Sequence, residues 1–119
     1  MAIDFGIRDR AAGPDTHVVV VSGEVDLFTA PEFKQRVMRP IAAGVERVVV
    51  DLTETTFIDS SSLGVLIGAH RRLKTRGGRL IVACHNDAIV KTFRITGLDS
   101  VFTIVSTLDE AFNGNAVGA

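Results

Sequence analysis

Apolar and polar positions alternate with two different periods along this chain. Ile3-Asp4-Phe5-Gly6-Ile7 alternates apolar with small or polar residues, as a half-buried strand does. Ala11 to Asp15 holds Gly13-Pro14 and predicts a turn. His17-Val18-Val19-Val20-Val21 is β-branched and bounded by Ser22-Gly23, which predicts a second strand. The short link predicts that these two strands pair as a hairpin. Gly23-Glu24-Val25-Asp26 is polar punctuation after it. Thr29-Ala30-Pro31-Glu32 has the form of a capping box, followed by the stripe Ala30, Phe33, Val37 and Ile41. Pro40 and Gly44 end or distort that helix. Arg47 to Leu52 is an almost continuous apolar run, as expected of a strand covered by helices.

A helix pattern opens after Thr56-Phe57-Ile58-Asp59 and runs to about Lys74, where Gly77-Gly78 stops it. Arg79 to Cys84 predicts another buried strand. Asn86 can cap a short helix over Asp87–Ile95, with Ile89, Val90 and Phe93 inward and Gly97 at its C-terminal turn. Val101 to Val105 is the last strand pattern, and Thr107-Leu108-Asp109-Glu110 is a second capping box. The order β-β-α-β-α-β-α-β-α predicts one α/β domain with a mixed, largely parallel sheet and about four helices. Its core is expected over about residues 3–112, with 113–119 a frayed tail.

The stretch from Thr56 to Gly68 concentrates the chemistry. A strand, a polar turn and a helix start meet there, with Ser60, Ser61 and Ser62 in succession beside Asp59. The first turn of a helix carries unpartnered N–H groups and partial positive charge. Asp59 or Ser60 can cap it, and a phosphate placed there would also be well received. Ser61, Gly64 and Gly68 form a small-residue face, while Leu63, Leu66, Ile67 and Leu73 suit a core. Glycine inside a helix costs about 1 kcal/mol against alanine. Two on one face predict a close neighbour, either within the fold or on a partner. Arg71, Arg72, Lys74 and Arg76 crowd the far end, where the helix dipole or an acidic partner can use them.

Phe57-Ile58-Asp59-Ser60-Ser61-Ser62-Leu63-Gly64-Val65 resembles the phosphorylation-site motif of bacterial anti-sigma factor antagonists, the single-domain STAS proteins. Gly23-Glu24-Val25-Asp26 resembles the same family's early Gly-Glu-Leu-Asp motif. Gly77-Gly78 and Ile95-Thr96-Gly97-Leu98 fall in the family's order, so the resemblance spans about Ile3 to Phe112. It implies a STAS-like sheet, phosphorylation at Ser60, and a docking patch of Asp26, Asp59, Ser61, Ser62, Leu63 and Gly64. It also implies that the Asp26 loop lies near Ser60. The family usually has glycine at the position of Ser62, which leaves Ser61 and Ser62 as rival acceptors.

Composition narrows the classes. The chain has 119 residues, 46% apolar, so a real core is expected. A net charge of −1 argues against nucleic-acid binding by bulk charge. No apolar run reaches the length that spans a bilayer, and no secretory pattern opens the chain. The single Cys84 excludes an internal disulfide, fits a reducing cytoplasm and reads as a buried small residue. His17, at a strand start, reads as a surface histidine.

An enzyme reading finds little support. The nucleophile elbow Gly-x-Ser-x-Gly lacks its first glycine, and His70 lies over two turns from Ser60 on one helix. His85 could approach only through tertiary packing. Asp26 and Asp59 lack a histidine or third acid at metal-ligand spacing, so neither metal nor cofactor is expected. A switch reading fits better. Phosphorylation adds about −1.5 to −2 charge units, which the helix end would accept while a docked partner would not. By resemblance the partner is an anti-sigma factor with serine-kinase activity, and a PP2C-type phosphatase reverses the modification. Capture of that partner frees the sigma factor. The alternative is a non-phosphorylated scaffold in a lipid-transport or stressosome-type complex.

Overall fold

A computed structural model describes residues 4–112 of the chain. Five strands lie in the order β1-β2-β3-β4-β5: Gly6–Ala11, Thr16–Val25, Arg47–Ile58, Arg79–Ala83 and Thr103–Val105. β1 is antiparallel to β2, and every other neighbour pair is parallel. The α/β order and the mixed sheet follow the expectation. Ile3 and the expected frayed tail 113–119 lie outside the described residues.

Four helices connect the strands: α1 (Ala30–Ala42), α2 (Ser60–Lys74), α3 (Asp87–Thr96) and α4 (Leu108–Phe112), with a 3₁₀ turn over Leu98–Ser100. Alternation along the strands sorts the core. Val19, Val21, Val48, Val50, Leu80 and Val82 face α1, α2 and α3, where they meet Phe33, Val37, Leu66, Leu73 and Phe93. Val18, Val20, Val49 and Ile81 face the other way and pack under Ala111 and Leu108 of α4. Cys84 is buried, and that burial pushes its thiol pKa up, away from thiolate chemistry.

Strand boundaries differ from the pattern-based ones, most of all in β1, β2 and β3; β4 stops one residue short, at Ala83, and β5 begins at Thr103 instead of Val101. β1 begins at Gly6 and takes in Arg8, Asp9 and Arg10, which an edge strand tolerates because one side is open to water. β2 continues through Gly23, Glu24 and Val25, so that segment is strand and not a connector. β3 runs to Ile58 instead of ending at Leu52. The physical reason lies in two bulges. Val20 pairs with Asp51 and Ser22 with Glu54, then Gly23 with Thr55 and Glu24 with Phe57. β3 therefore spends one extra residue at each irregularity, and its inward and outward positions exchange twice. Local polar groups fill the gaps. Asp51 Oδ1 accepts from the Thr53 N–H at 2.9 Å, and the buried Thr55 hydroxyl donates to the Val21 carbonyl at 2.8 Å. Gly23 takes φ 79°, the left-handed region that glycine enters without strain.

His17 is not a surface histidine. Its Nε2 lies 2.6 Å from Asp9 Oδ2, with 18% of the side chain exposed, and Arg36 Nη1 donates to Asp9 Oδ1 at 2.8 Å. One carboxylate thus ties β1, β2 and α1 together. The His17 hydrogen bond holds the Asp9 carboxyl below its usual range against the opposing effect of burial, with Arg36 adding to it.

The Thr29 capping box does not form: Thr29 makes no side-chain cap bond to α1. Its hydroxyl instead accepts from the Asp26 N–H at 2.9 Å. The second box forms in part. The Thr107 hydroxyl accepts from Glu110 N–H at 3.1 Å, while Glu110 Oε1 reaches the Ser106 N–H at 3.2 Å. Asn86 caps α3 as expected, accepting from Ala88 and Ile89, and Gly97 closes it at φ 77°.

Candidate functional site

β2 and β3 pair beyond the reach of β4, whose register with β3 ends at Asp51–Ala83. Their last pair is Val25–Ile58. The two residues that follow are Asp26 and Asp59, so two loops leave the sheet side by side at the C-terminal ends of parallel strands. Ligand and partner sites of open α/β sheets form at such ends.

Asp59 is the N-cap of α2. Its Oδ1 accepts from the Ser61 N–H at 3.0 Å and the Ser62 N–H at 3.3 Å. The choice left open by the sequence, Asp59 or Ser60 as cap, is settled for Asp59. Ser60 is consequently the first helical residue, its side chain needed by neither cap nor core, and it is exposed. Asp59 also occupies two of the N–H donors that an anion at this helix mouth would use.

The three serines have different fates. Ser61 is half-buried. Ser62 is fully buried; its Oγ donates to the Val25 carbonyl at 3.2 Å, with Asp59 Oδ1 3.4 Å away. That burial corrects the expectation of Ser62 as a rival acceptor and docking residue. Its hydroxyl is committed to the Val25 carbonyl at the end of β2, and no partner can touch a side chain with no accessible surface. The same bond locks the start of α2 onto the end of β2.

Asp26 does comparable work in its own loop. Its Oδ1 accepts from the Phe28 N–H at 2.9 Å and the Thr29 N–H at 3.1 Å. The turn so made thrusts Leu27 and Phe28 outward, 68% and 89% exposed. These two apolar residues were not singled out from the sequence, although a Leu-Phe pair between the polar Asp26 and Thr29 is a signal that could have found them. Phe57, next to the site on β3, is 46% exposed.

Along α2, Leu63 is half-buried and packs against the core, while Gly64 is exposed. A Cβ at Gly68 would stand 3.3 Å from Met38 Cε, so its close neighbour lies within the fold. A Cβ at Gly64 would meet nothing within 4 Å, so nothing among the described residues uses that approach. The basic cluster divides too. Arg76 Nη2 donates to the Ile41 and Val45 carbonyls and belongs to the scaffold. Arg71, Arg72 and Lys74 stay exposed. His70 sits against the Phe102 ring, centroids 6.2 Å apart, and burial pushes its pKa down, with Lys74 adding to the effect. Its place ten residues along α2 from Ser60, about 15 Å at 1.5 Å per residue, keeps it from serving as a base there.

Among the described residues no group of three or more His, Cys, Asp or Glu is placed to hold a metal ion, and no helix is long and apolar enough to cross a membrane. A polar hollow of about 400 Å³ lies at the opposite end of the sheet, beside Asp15, Glu46 and Arg79.

Residues 9–111 match the family model described as the STAS domain. The anti-sigma-B factor antagonist of Listeria monocytogenes is 35% identical over 118 residues, covering 97% of this chain and 98% of that protein. The crystal structure of an anti-sigma factor antagonist from Mycobacterium paratuberculosis has a TM-score of 0.78 at 27% identity, covering 92% of each chain. The Bacillus cell fate determinant SpoIIAA in its phosphorylated form shares the fold, with a TM-score of 0.73 at 23% identity, covering 90% of this chain and 96% of that one.

Proposed function

This chain belongs to the STAS domain family, and on that premise we propose that it is an anti-sigma factor antagonist switched by phosphorylation of Ser60. Unmodified, it captures an anti-sigma factor and so frees a sigma factor for transcription. Its action is binding, not catalysis. The partner class is supported by likeness, along nearly the whole chain, to an anti-sigma-B factor antagonist. The kinase activity belongs to that partner: it transfers the γ-phosphoryl group of ATP to Ser60 Oγ, ADP leaves, and the hydroxyl proton is lost. A PP2C-type phosphatase hydrolyses the phosphoserine and restores capture.

The observation that carries this reading is the exposed Ser60 hydroxyl on a fixed platform. Asp59 caps the helix, Ser62 pins it to β2, and Ser60 alone of the three serines is exposed. The docking face proposed around it comprises Asp26, Asp59, Ser61, Leu63 and Gly64, with Leu27 and Phe28 added. Ser60 forms no part of the core, so a phosphate there leaves the fold in place. With the Ser61 and Ser62 N–H groups held by Asp59, the phosphate stays in solvent beside a carboxylate. A partner covering this face would have to desolvate about two negative charges without a counter-charge from this protein, and affinity falls.

The test is a phosphate-affinity gel of the protein with its anti-sigma factor kinase and ATP, beside Ser60→Ala. Wild type shifts and Ser60→Ala does not. A Ser60→Ala variant that shifts like wild type moves the acceptor elsewhere. A wild type that never shifts favours a non-phosphorylated scaffold.

A further inference from the structure

α1 and α2 lie on the same face of the sheet and leave a groove of about 740 Å³ between them. Leu27, Met38 and Val65 give it an apolar lining. Gly64 contributes no side chain, with open space where a Cβ would be. Cations come from both walls: Lys34 on α1, Arg71 and Arg72 on α2. All three are exposed, none of their side chains makes an ion pair or hydrogen bond among the described residues, and no carboxylate lines the groove. Ser61, next in the chain to Ser60, also lines it.

We infer that this groove seats an acidic amphipathic helix of the captured anti-sigma factor, its apolar stripe on Leu27, Met38 and Val65 and its carboxylates against Lys34, Arg71 and Arg72. The inference rests on the capture reading above and adds the partner's chemistry and orientation. A groove between two helices with an apolar lining takes a third helix by its apolar face. The gap at Gly64 lets that helix come close to the α2 backbone. Three cations without partners set the register by charge, and they raise the association rate as well. Release gains a second cause. A phosphate on Ser60 stands beside the groove and repels the same acidic segment that the far end attracts.

The experiment uses as probe the purified kinase that modifies Ser60 in the gel assay. Its affinity is measured from low to high salt for wild type, R71E/R72E and K34E, with thermal unfolding of each variant alongside. Wild type is expected to bind with affinity falling as salt rises. R71E/R72E is expected to bind about tenfold weaker or worse, with a flatter salt dependence and an unchanged Tm, and K34E is expected to shift the same way from the opposite wall. Variants that bind like wild type with the same salt dependence overturn the groove assignment and leave the capture reading standing. A wild type that does not bind the kinase removes the capture reading, and this inference with it. Saturable dodecanoate binding in the groove that leaves kinase binding untouched reassigns the groove to a small anionic amphiphile and overturns the proposal.

Discussion

The β2–α1 and β3–α2 junctions leave the sheet from paired residues, Val25 and Ile58, and each is organised by an aspartate. They differ in what the aspartate holds. Asp59 accepts from the first N–H groups of α2, so the helix starts at once and the following serine is presented on a rigid shelf. Asp26 accepts from its own loop, so α1 is delayed until Ala30 and two apolar side chains are pushed into water. One junction exposes a serine hydroxyl and the other two apolar side chains, the proposed switch and part of the proposed docking face. Their difference separates the switch from the grip, and a bond from Ser62 to Val25 couples them.

That division can be broken piece by piece. Placing a charge on the shelf should have the largest effect. Ser60→Asp is expected to weaken capture of the anti-sigma factor by about 100-fold, a cost of roughly 2.7 kcal/mol, from burying a charge without a partner. Isothermal titration measures it, with Tm expected to stay within about 2 °C of wild type. Removing the adhesive pair comes next. Leu27→Ala with Phe28→Ala should cost about tenfold in affinity and nothing measurable in stability, since neither side chain is buried. Equal affinity would remove that loop from the docking face. Severing the coupling is smaller. Ser62→Ala leaves the Val25 carbonyl short of its donor and should destabilise by about 1–2 kcal/mol, visible as a lower urea midpoint. An unchanged midpoint would mean that water replaces the hydroxyl at no cost.

Neutralising the cap gives the subtlest change. An Asn oxygen can accept the Ser61 and Ser62 N–H groups as Asp does, so Asp59→Asn should keep the fold. The negative charge of Asp59 disfavours the phosphate dianion and so raises the second pKa of phosphoserine relative to a neutral residue at the same place. The substitution should lower it by about half a unit in a phosphorus NMR titration. A titration unmoved by Asp59→Asn would show that the two groups do not face each other.

Much of this arrangement is legible in the sequence, and the parts that are not have physical causes. Asp59 to Val65 was legible because an apolar strand, a capping residue and a 3.6-residue pattern meet within a few positions. Thr53–Ile58 is illegible as strand because two bulges on β3 break the alternation on which strand patterns rest, and Gly23–Val25 because a glycine and a charged residue read as the end of a strand. The Thr29 box failed because Asp26 competes for the same hydroxyl, a rivalry that a four-residue motif cannot express. His17 was misplaced because its partners Asp9 and Arg36 come from other elements. The burial of Ser62 depends on a carbonyl 37 positions earlier in the chain. The groove, likewise, belongs to two helices separated by a strand, and neither sequence pattern contains it.

The central claim is that charge at Ser60 spoils the interface without disturbing the fold. A direct test compares amide NMR spectra and thermal unfolding of the protein with phosphoserine at position 60 and without it, each then titrated with the anti-sigma factor. The account predicts shifts confined to residues near Asp59–Leu63 and Asp26–Thr29, an unfolding midpoint close to that of the unmodified protein, and binding lost only in the phosphorylated form. Shifts spread through the sheet with a depressed midpoint, or capture that survives phosphorylation, would contradict it.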